Sequence, residues 1–483
     1  MRKFFLILLL ACLMIPAAHA QEERTEYRVN MLQMDAATYQ VHCEVDFTNP
    51  SEAPMTGVMF TLYANQLRRE TSLVAENGML EAMFPGGYAP GGVEFGNVTV
   101  NGEAADWGMQ GENELFLRVG CDLQPGERAT FGFDYYLLII GSRGDLGFAE
   151  KDIRLSGFLP TVALWEADEF IVNPASAVAR YAVYEPADYS VELTVSDKYT
   201  VASAGVQQKG EAAQGMRTWR IEAPGVREFA LAMSAEYREQ TVTSAMGTQV
   251  RLLGWDKSGV KRAAETAEAA IDLLETWFGK APYAQITLAQ AELVTDGAAY
   301  GGLILIPQER YAGKQKIALE HDVVAGLAQQ YFGMAAGNDP AQAPWLSVSV
   351  PEMLYYQYIE AREGYDNMLG QLNEDCLSAL VMTLPGGYSV DSPLAAFYDS
   401  ADFEIVVRHR GAAALYQIRE GMGTENFLAG LREFYEVYNG RIAGLQEFVS
   451  AFNAVSDRAW DMLIVDWFYT IDEYQGTTTS FFQ

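Results

Sequence analysis

LEHDVVAGLAQQYFGMAAGNDPAQAPWLSV, residues 319–348, is the stretch whose reading decides the fold. Val323, Val324, Leu327, Ala328, Tyr331 and Phe332 recur at three- and four-residue steps, the period of a helix with one buried face. The helix opens near Ile317. Gly333 ends it, Gly337-Asn338-Asp339-Pro340 forms a loop, and a second helix begins beyond.

Outward from this stretch, length and charge set bounds. A chain of 483 residues exceeds one core, so two or more domains are expected. Hydrophobic content of 49% with 12% aromatics marks an ordered globular protein. Residues 1–20 read as a secretory signal. Arg2 and Lys3 lead an apolar run from Phe4 to Ile15, and Ala18-His19-Ala20 is a small-x-small cleavage site. Lipoprotein processing at Cys12 is the alternative. Either reading places the protein outside the cytoplasm, secreted or in the cell envelope. No later stretch is long and apolar enough to span a bilayer as a helix.

The whole chain has 33 basic and 64 acidic residues, a net charge of −31. Removing the signal's two basic residues makes it −33. Such an excess repels nucleic acid and anionic lipid. It serves solubility, or draws cations and basic peptides. Beyond Cys12 only Cys43, Cys121 and Cys376 remain, with no Cys-x-x-Cys, so a thiolate metal site has no support. Cys43 and Cys121 either bridge or stay as buried thiols.

Residues 21–243 alternate polar and apolar positions between turn residues. Thr38–Phe47 puts Tyr39, Val41, Cys43, Val45 and Phe47 on one face. Similar runs at Val58–Tyr63, Glu114–Val119, Thr130–Tyr136, Tyr189–Val195, Thr218–Ile221 and Phe229–Ser234 predict an antiparallel β-sandwich. Residues 244–470 read as a mostly helical domain with a small sheet. Strands are expected at Gln249–Gly254, Ile286–Leu293 and Gly302–Ile306. Helices are expected at Ser258–Phe278, Pro351–Ala361, Asp366–Leu380, Phe403–Glu420, Glu425–Tyr438, Leu445–Val455 and Arg458–Phe468, with Thr424 and Ser456 as N-caps. Residues 471–483 form a tail. The fold class is α+β, in two domains.

The order of sandwich, small sheet, central helix and helical tail resembles the aminopeptidase N family of gluzincin zinc peptidases, which includes leukotriene hydrolase. The motifs are Gln330-Tyr331-Phe332-Gly333, Trp345-Leu346, Gly301-Gly302-Leu303-Ile304, Leu62-Tyr63-Ala64-Asn65 and Asp188-Tyr189-Ser190-Val191. The resemblance implies a thermolysin-like second domain. In its register the family's two zinc histidines fall on Ala325 and Gln329, the general-base Glu on Gly326 and the third zinc ligand on Val348. The Glu that grips a substrate's amino group falls on Ala299. The transition-state Tyr falls on Arg408, within Arg408-His409-Arg410.

That chemistry needs two imidazoles and a carboxylate around Zn²⁺ and a carboxylate to take a proton from bound water. Ala, Gln, Val and Gly supply neither set. The resemblance therefore implies a pseudo-peptidase, with no cofactor where active relatives hold zinc and no catalytic residues. Its cleft would take a peptide or protein ligand. Tyr300, Gly301, Gly302, Gln329, Trp345 and Arg408 are the candidate cleft residues, and Arg408 with Arg410 would favour an anionic group. Two alternatives stand beside this reading. One is an active aminopeptidase with a rearranged metal site using His321, His409 and a carboxylate. The other is a structural subunit docking on an active paralogue or an envelope complex.

Overall fold

A computed structural model describes residues 24–69, 80–382, 384, 386–456, 459–461, 464 and 468. The expected signal with Cys12, the tail and most of the helix expected at 458–468 lie outside them.

Alternating patterning builds the N-terminal region as sheet. Its main strands are β1 (Glu26–Gln33), β2 (Thr38–Thr48), β3 (Gly92–Val100), β4 (Arg128–Leu138), β5 (Ala187–Ser196), β6 (Val206–Ala213) and β7 (Met216–Val226). They pair in the order β6-β7-β5-β1-β2-β4-β3, with the short strand Glu103–Ala104 beyond β3. In β2 the five predicted core residues are all buried, and the residues between them are not. Phe60, from strand Met55–Thr61 of a second sheet, sets its ring 5.3 Å from Phe131 and 5.0 Å from Phe133 of β4. Edge-to-face pairs of this kind stabilise by about 0.5–1.5 kcal/mol beyond area burial. The ladders of this eight-stranded sheet are antiparallel except one: β1 runs parallel to β5. The long chain between these two strands supplies the crossover that parallel pairing requires. Cys43, Cys121 and Cys376 are free thiols.

The C-terminal part begins on a five-stranded sheet of β8 (Arg238–Thr243), β9 (Gln249–Gly254), β10 (Gln285–Ala291), β11 (Ala298–Tyr300) and β12 (Leu303–Pro307). The order is β8-β9-β10-β12-β11, which leaves β11 at an edge. Helices α1 (Lys257–Phe278), α2 (Lys316–Tyr331), α3 (Trp345–Glu363), α4 (Tyr365–Val381), α5 (Gly411–Met422), α6 (Thr424–Tyr438) and α7 (Leu445–Ala454) follow the apolar periodicity. Asp256 caps α1 by accepting from the Ser258 and Gly259 N–H groups at 2.9 Å. No helix among the described residues is long and apolar enough to cross a membrane.

Three local expectations need correction. Helix α3 starts at Trp345, so Pro351 lies inside it rather than at its start. The helix expected from Phe403 is interrupted: the α-helical turn Ser400–Phe403 passes into a π-helix over Glu404–Arg410, and α-helix resumes at Gly411. There the Ser349 hydroxyl donates to the Val407 carbonyl at 2.6 Å, a side chain entering the helical ladder. Thr424 is the first helical residue of α6, and Gly423, at φ +82°, takes the cap position.

Arg227 fastens the two parts together. Its buried guanidinium donates to the carbonyls of Tyr184, Met334, Ala335 and Arg441 at 2.8–3.1 Å. Gly337 lies against it, and a Cβ there would stand 2.4 Å from the guanidinium carbon.

Candidate functional site

Helices α2 and α3 bring the family's zinc positions together without zinc chemistry. Ala325 is buried, Val348 packs half-buried against the core, and the Gln329 side-chain amide donates to the Ser347 carbonyl at 2.9 Å. That last bond has a local cause. In an α-helix the Ser347 carbonyl accepts from the N–H four residues on, and that residue is Pro351, which has none. Gln329 supplies the missing donor. Gly326 faces the sheet, where a Cβ would sit 2.9 Å from Ile304 Cγ2. The chain leaves α2 through Gly333, whose φ of +113° and close approach to Ser347 both need a residue without Cβ.

One turn away, a chain of alternating charge, buried at Glu352 and opening to solvent toward Asp296, crosses the same helices. Glu352 of α3, with a side chain 3% exposed, accepts on one oxygen from His321 Nε2 at 2.8 Å and from Arg408 at 3.3 Å. Its other oxygen accepts from the Tyr356 hydroxyl at 3.2 Å. His321 Nδ1 lies 3.1 Å from Asp322, which binds Arg310 at 3.0 Å, and Arg310 reaches Asp296 at 3.0 Å. At the other end the Arg408 guanidinium is clasped by Glu404, four residues back on the π-helix.

The charges hold one another. Burial works against a charged His321, but Glu352 and then Asp322 outweigh it and push the imidazole up to about 10. Burial would likewise raise Glu352, yet His321 and Arg408 hold its carboxyl well below the usual carboxylate range. Burial opposes the Arg408 charge too, and Glu404 with Glu352 keeps it firmly protonated.

Ala299 and Tyr300 sit on edge strand β11. The Tyr300 hydroxyl donates to Asp145 at 2.7 Å. The Arg180 guanidinium lies over the Tyr300 ring, 4.9 Å from its centroid. It donates to the Ala299 carbonyl at 2.6 Å and pairs with Glu228. Burial pushes the Glu228 carboxyl up, with Arg180 opposing. Gly301 packs against Val226 and Tyr283. The Gly302 N–H donates to Gln330 Oε1 at 2.8 Å, so the Gln of the retained motif fixes this turn to α2.

The structure corrects four expected roles. Trp345 is completely buried, its ring 5.0 Å from Phe448 and 4.6 Å from Phe468 and its N–H on Asp391, so it faces the core and not the cleft. Arg410 is buried too and donates to the Ala379 and Met382 carbonyls at the end of α4, away from any ligand. Arg408 is held by two carboxylates of its own chain, which removes the free cation expected there. His321 and His409 are not joined in a metal-holding group among the described residues: both His321 nitrogens bond carboxylates, while the buried His409 Nδ1 has no hydrogen-bond partner. Glu352, Glu404, Arg310, Arg180 and Glu228 were not singled out from the sequence, whereas Asp322 was noted beside His321. One signal for Glu352 exists: it follows Val348 by the same four residues by which His321 precedes Ala325.

The residues present do not fit a zinc site at the family position. They offer a methyl group, an isopropyl group and an amide already bonded to a carbonyl. Among the described residues, no group of three or more His, Cys, Asp or Glu side chains is placed to hold a metal ion.

No protein-family profile matches the chain, and no curated protein matches it. Solved structures do. The M1 zinc metallopeptidase of Deinococcus radiodurans matches with a TM-score of 0.66 at 15% identity, over 92% of this chain and 93% of that one. A point mutant of that enzyme bound to a Tyr-Ser-Ala substrate matches with a TM-score of 0.65 at 14% identity, over the same shares. A two-domain M1 zinc metallopeptidase mutant bound to L-arginine matches with a TM-score of 0.66 at 14% identity, over 95% of each chain. At such identities the likeness is one of fold: this chain has the two-domain M1 zinc-metallopeptidase fold.

Proposed function

We propose that this protein is a secreted or envelope pseudo-peptidase: an M1 peptidase fold that binds a peptide or protein partner and does not hydrolyse it. The observation that carries this reading is the side-chain content of the α2–α3 turn. Ala325, Gln329 and Val348 stand at the ligand positions, the Gln329 amide nitrogen is already bonded to Ser347, and Ile304 fills the space a Gly326 side chain would need. Where the family has a transition-state tyrosine, Arg408 is tied to Glu352 and Glu404. A hydrolytic centre requires a Lewis acid or an activated water beside a proton acceptor, and no group at these positions supplies either. Edge strand β11 lies beside these positions, and an exposed strand edge suits recognition of an extended peptide.

The test is metal analysis of the purified protein together with release of a chromophore from aminoacyl anilides. The expected result is substoichiometric zinc and no release above a blank. Zinc bound one to one, with activity lost on chelation and regained on metal addition, overturns the proposal.

A further inference from the structure

We infer that the recess formed by the Tyr300 ring, the Ala299 carbonyl, Glu228 and Asp145 is a guanidinium site, that Arg180 fills it in cis, and that an arginine side chain of a partner peptide takes the place of Arg180. The inference deepens the binding reading above by naming a ligand class, and it rests on that reading.

Guanidinium recognition uses a flat aromatic face, a carboxylate and in-plane carbonyl acceptors. All three meet here. Tyr300 provides the face, at 4.9 Å from the guanidinium carbon. Glu228, with a side chain 8% exposed, provides the carboxylate. Ala299 of edge strand β11 provides the carbonyl, at 2.6 Å. Tyr300 is buried, and its hydroxyl is fixed on Asp145, so the face does not turn. Glu228 also accepts from the Gly157 N–H at 3.1 Å, which fixes the carboxylate from behind.

The occupant is held differently from its site. Arg180 lies on the irregular segment 172–186, outside any strand or helix. Anchors on either side hold that segment without Arg180. Asn173 donates to Asp339 and to the Tyr181 carbonyl at 3.0 Å. Tyr181 sets its ring 4.8 Å from Tyr63 and its hydroxyl on Gln66. The Arg180 side chain is one-third exposed, so the recess opens to solvent along the arginine itself. The side chain can swing out while its backbone stays. Glu228 cannot then stay charged and buried alone, since an unpaired buried carboxylate is costly. A second guanidinium restores the pairing without rebuilding the site. The chain's net charge of −31 attracts such basic partners.

The experiment measures binding of acetyl-Ala-Arg-Ala-amide to the wild-type full chain and to Arg180→Ala by calorimetry. The same peptide with citrulline, neutral but nearly the same shape, is the control. With the internal competitor removed, the arginine peptide is expected to bind Arg180→Ala about tenfold tighter than wild type, or more. The citrulline peptide should bind neither protein, and adding Glu228→Gln should abolish the gain. Equal affinity for the two proteins, no binding to Arg180→Ala, or equal binding of the citrulline peptide overturns the inference. If Arg180→Ala does not fold, Arg180→Gln is tested with the arginine peptide present during refolding. Failure of both to fold makes Arg180 a structural member and overturns the inference as well. Zinc analysis of the wild-type protein stands apart. A metal-loaded, active enzyme would defeat the pseudo-peptidase reading and leave the peptide affinities to decide this one.

Discussion

The turn of α2 and α3 that carries Ala325, Gln329 and Val348 and the turn beside it that carries His321 and Glu352 have opposite contents. The first is apolar apart from one amide. The second holds a buried carboxylate gripped by an imidazolium and a guanidinium. Yet both join the same two helices, the first through Gln329 on Ser347 and the second through His321 on Glu352. A metal at the first turn would cross-link α2 and α3 with one divalent charge. Here protein groups join the helices, with the charge lying one turn along and shared among seven side chains. Such an arrangement depends most on Glu352, its one buried member. It predicts large, pH-dependent penalties at the second turn and a small, local penalty at the first.

The largest effect is expected from Glu352→Ala. It leaves His321 and Arg408, both partly buried and positive, without their shared acceptor and with only Asp322 and Glu404 as partners. Breaking a buried pair from one side costs about 3–5 kcal/mol. Denaturant unfolding of the variant should show that loss. A loss no larger than that of a surface substitution would mean the charges relax into solvent, and the cluster would not be a cross-link.

Next is His321→Gln, read against pH. The folded imidazole titrates at about 10, above its ordinary 6.5. Its stabilisation is therefore fully present below pH 6.5 and is lost as pH rises through about 10. Glu352 is shifted the other way, so its contribution is present above its ordinary 4.5 and is lost as pH falls below that. The stability difference between wild type and His321→Gln should be near the charge-assisted hydrogen-bond range of about 1.5–3 kcal/mol at neutral pH. It should shrink steadily toward pH 10. A difference that does not change between pH 6.5 and 10 would show that His321 is not charged at neutral pH.

The two turns also differ in how far the sequence revealed them. The apolar turn was readable as a helix face because periodicity is a property of one stretch, and Gln330-Tyr331-Phe332-Gly333 and Trp345-Leu346 set the register expected for it. Strand faces such as Tyr39 to Phe47 were legible for the same reason, since alternation is a local property. The charged turn was not. His321 and Glu352 are ordinary polar residues on separate, largely buried helices, and Arg408 and Arg310 come from two more segments. Only tertiary packing sets their partners. The parallel pairing of β1 with β5 and the role of Arg180, on a segment with no periodicity, were hidden for that reason too. Pro351 misled in the opposite way. Proline usually marks a helix start, and nothing local announces that a glutamine on another helix takes over the carbonyl it strands.

That substitution of donors gives the smallest and most specific test. Gln329→Ala removes the side-chain donor to the Ser347 carbonyl and should cost about 1 kcal/mol, the low end for a buried acceptor left unpaired. Pro351→Ala restores the backbone N–H four residues on and removes the ring from the helix interior. In that background Gln329→Ala should cost little, because the helix satisfies Ser347 itself. The pair should therefore be non-additive in a double-mutant cycle, with most of the Gln329 effect disappearing once the proline is gone. Additive penalties would show that Gln329 acts through packing alone. The first turn would then lack any donor repair, and the contrast with the charged turn would rest on the second turn alone.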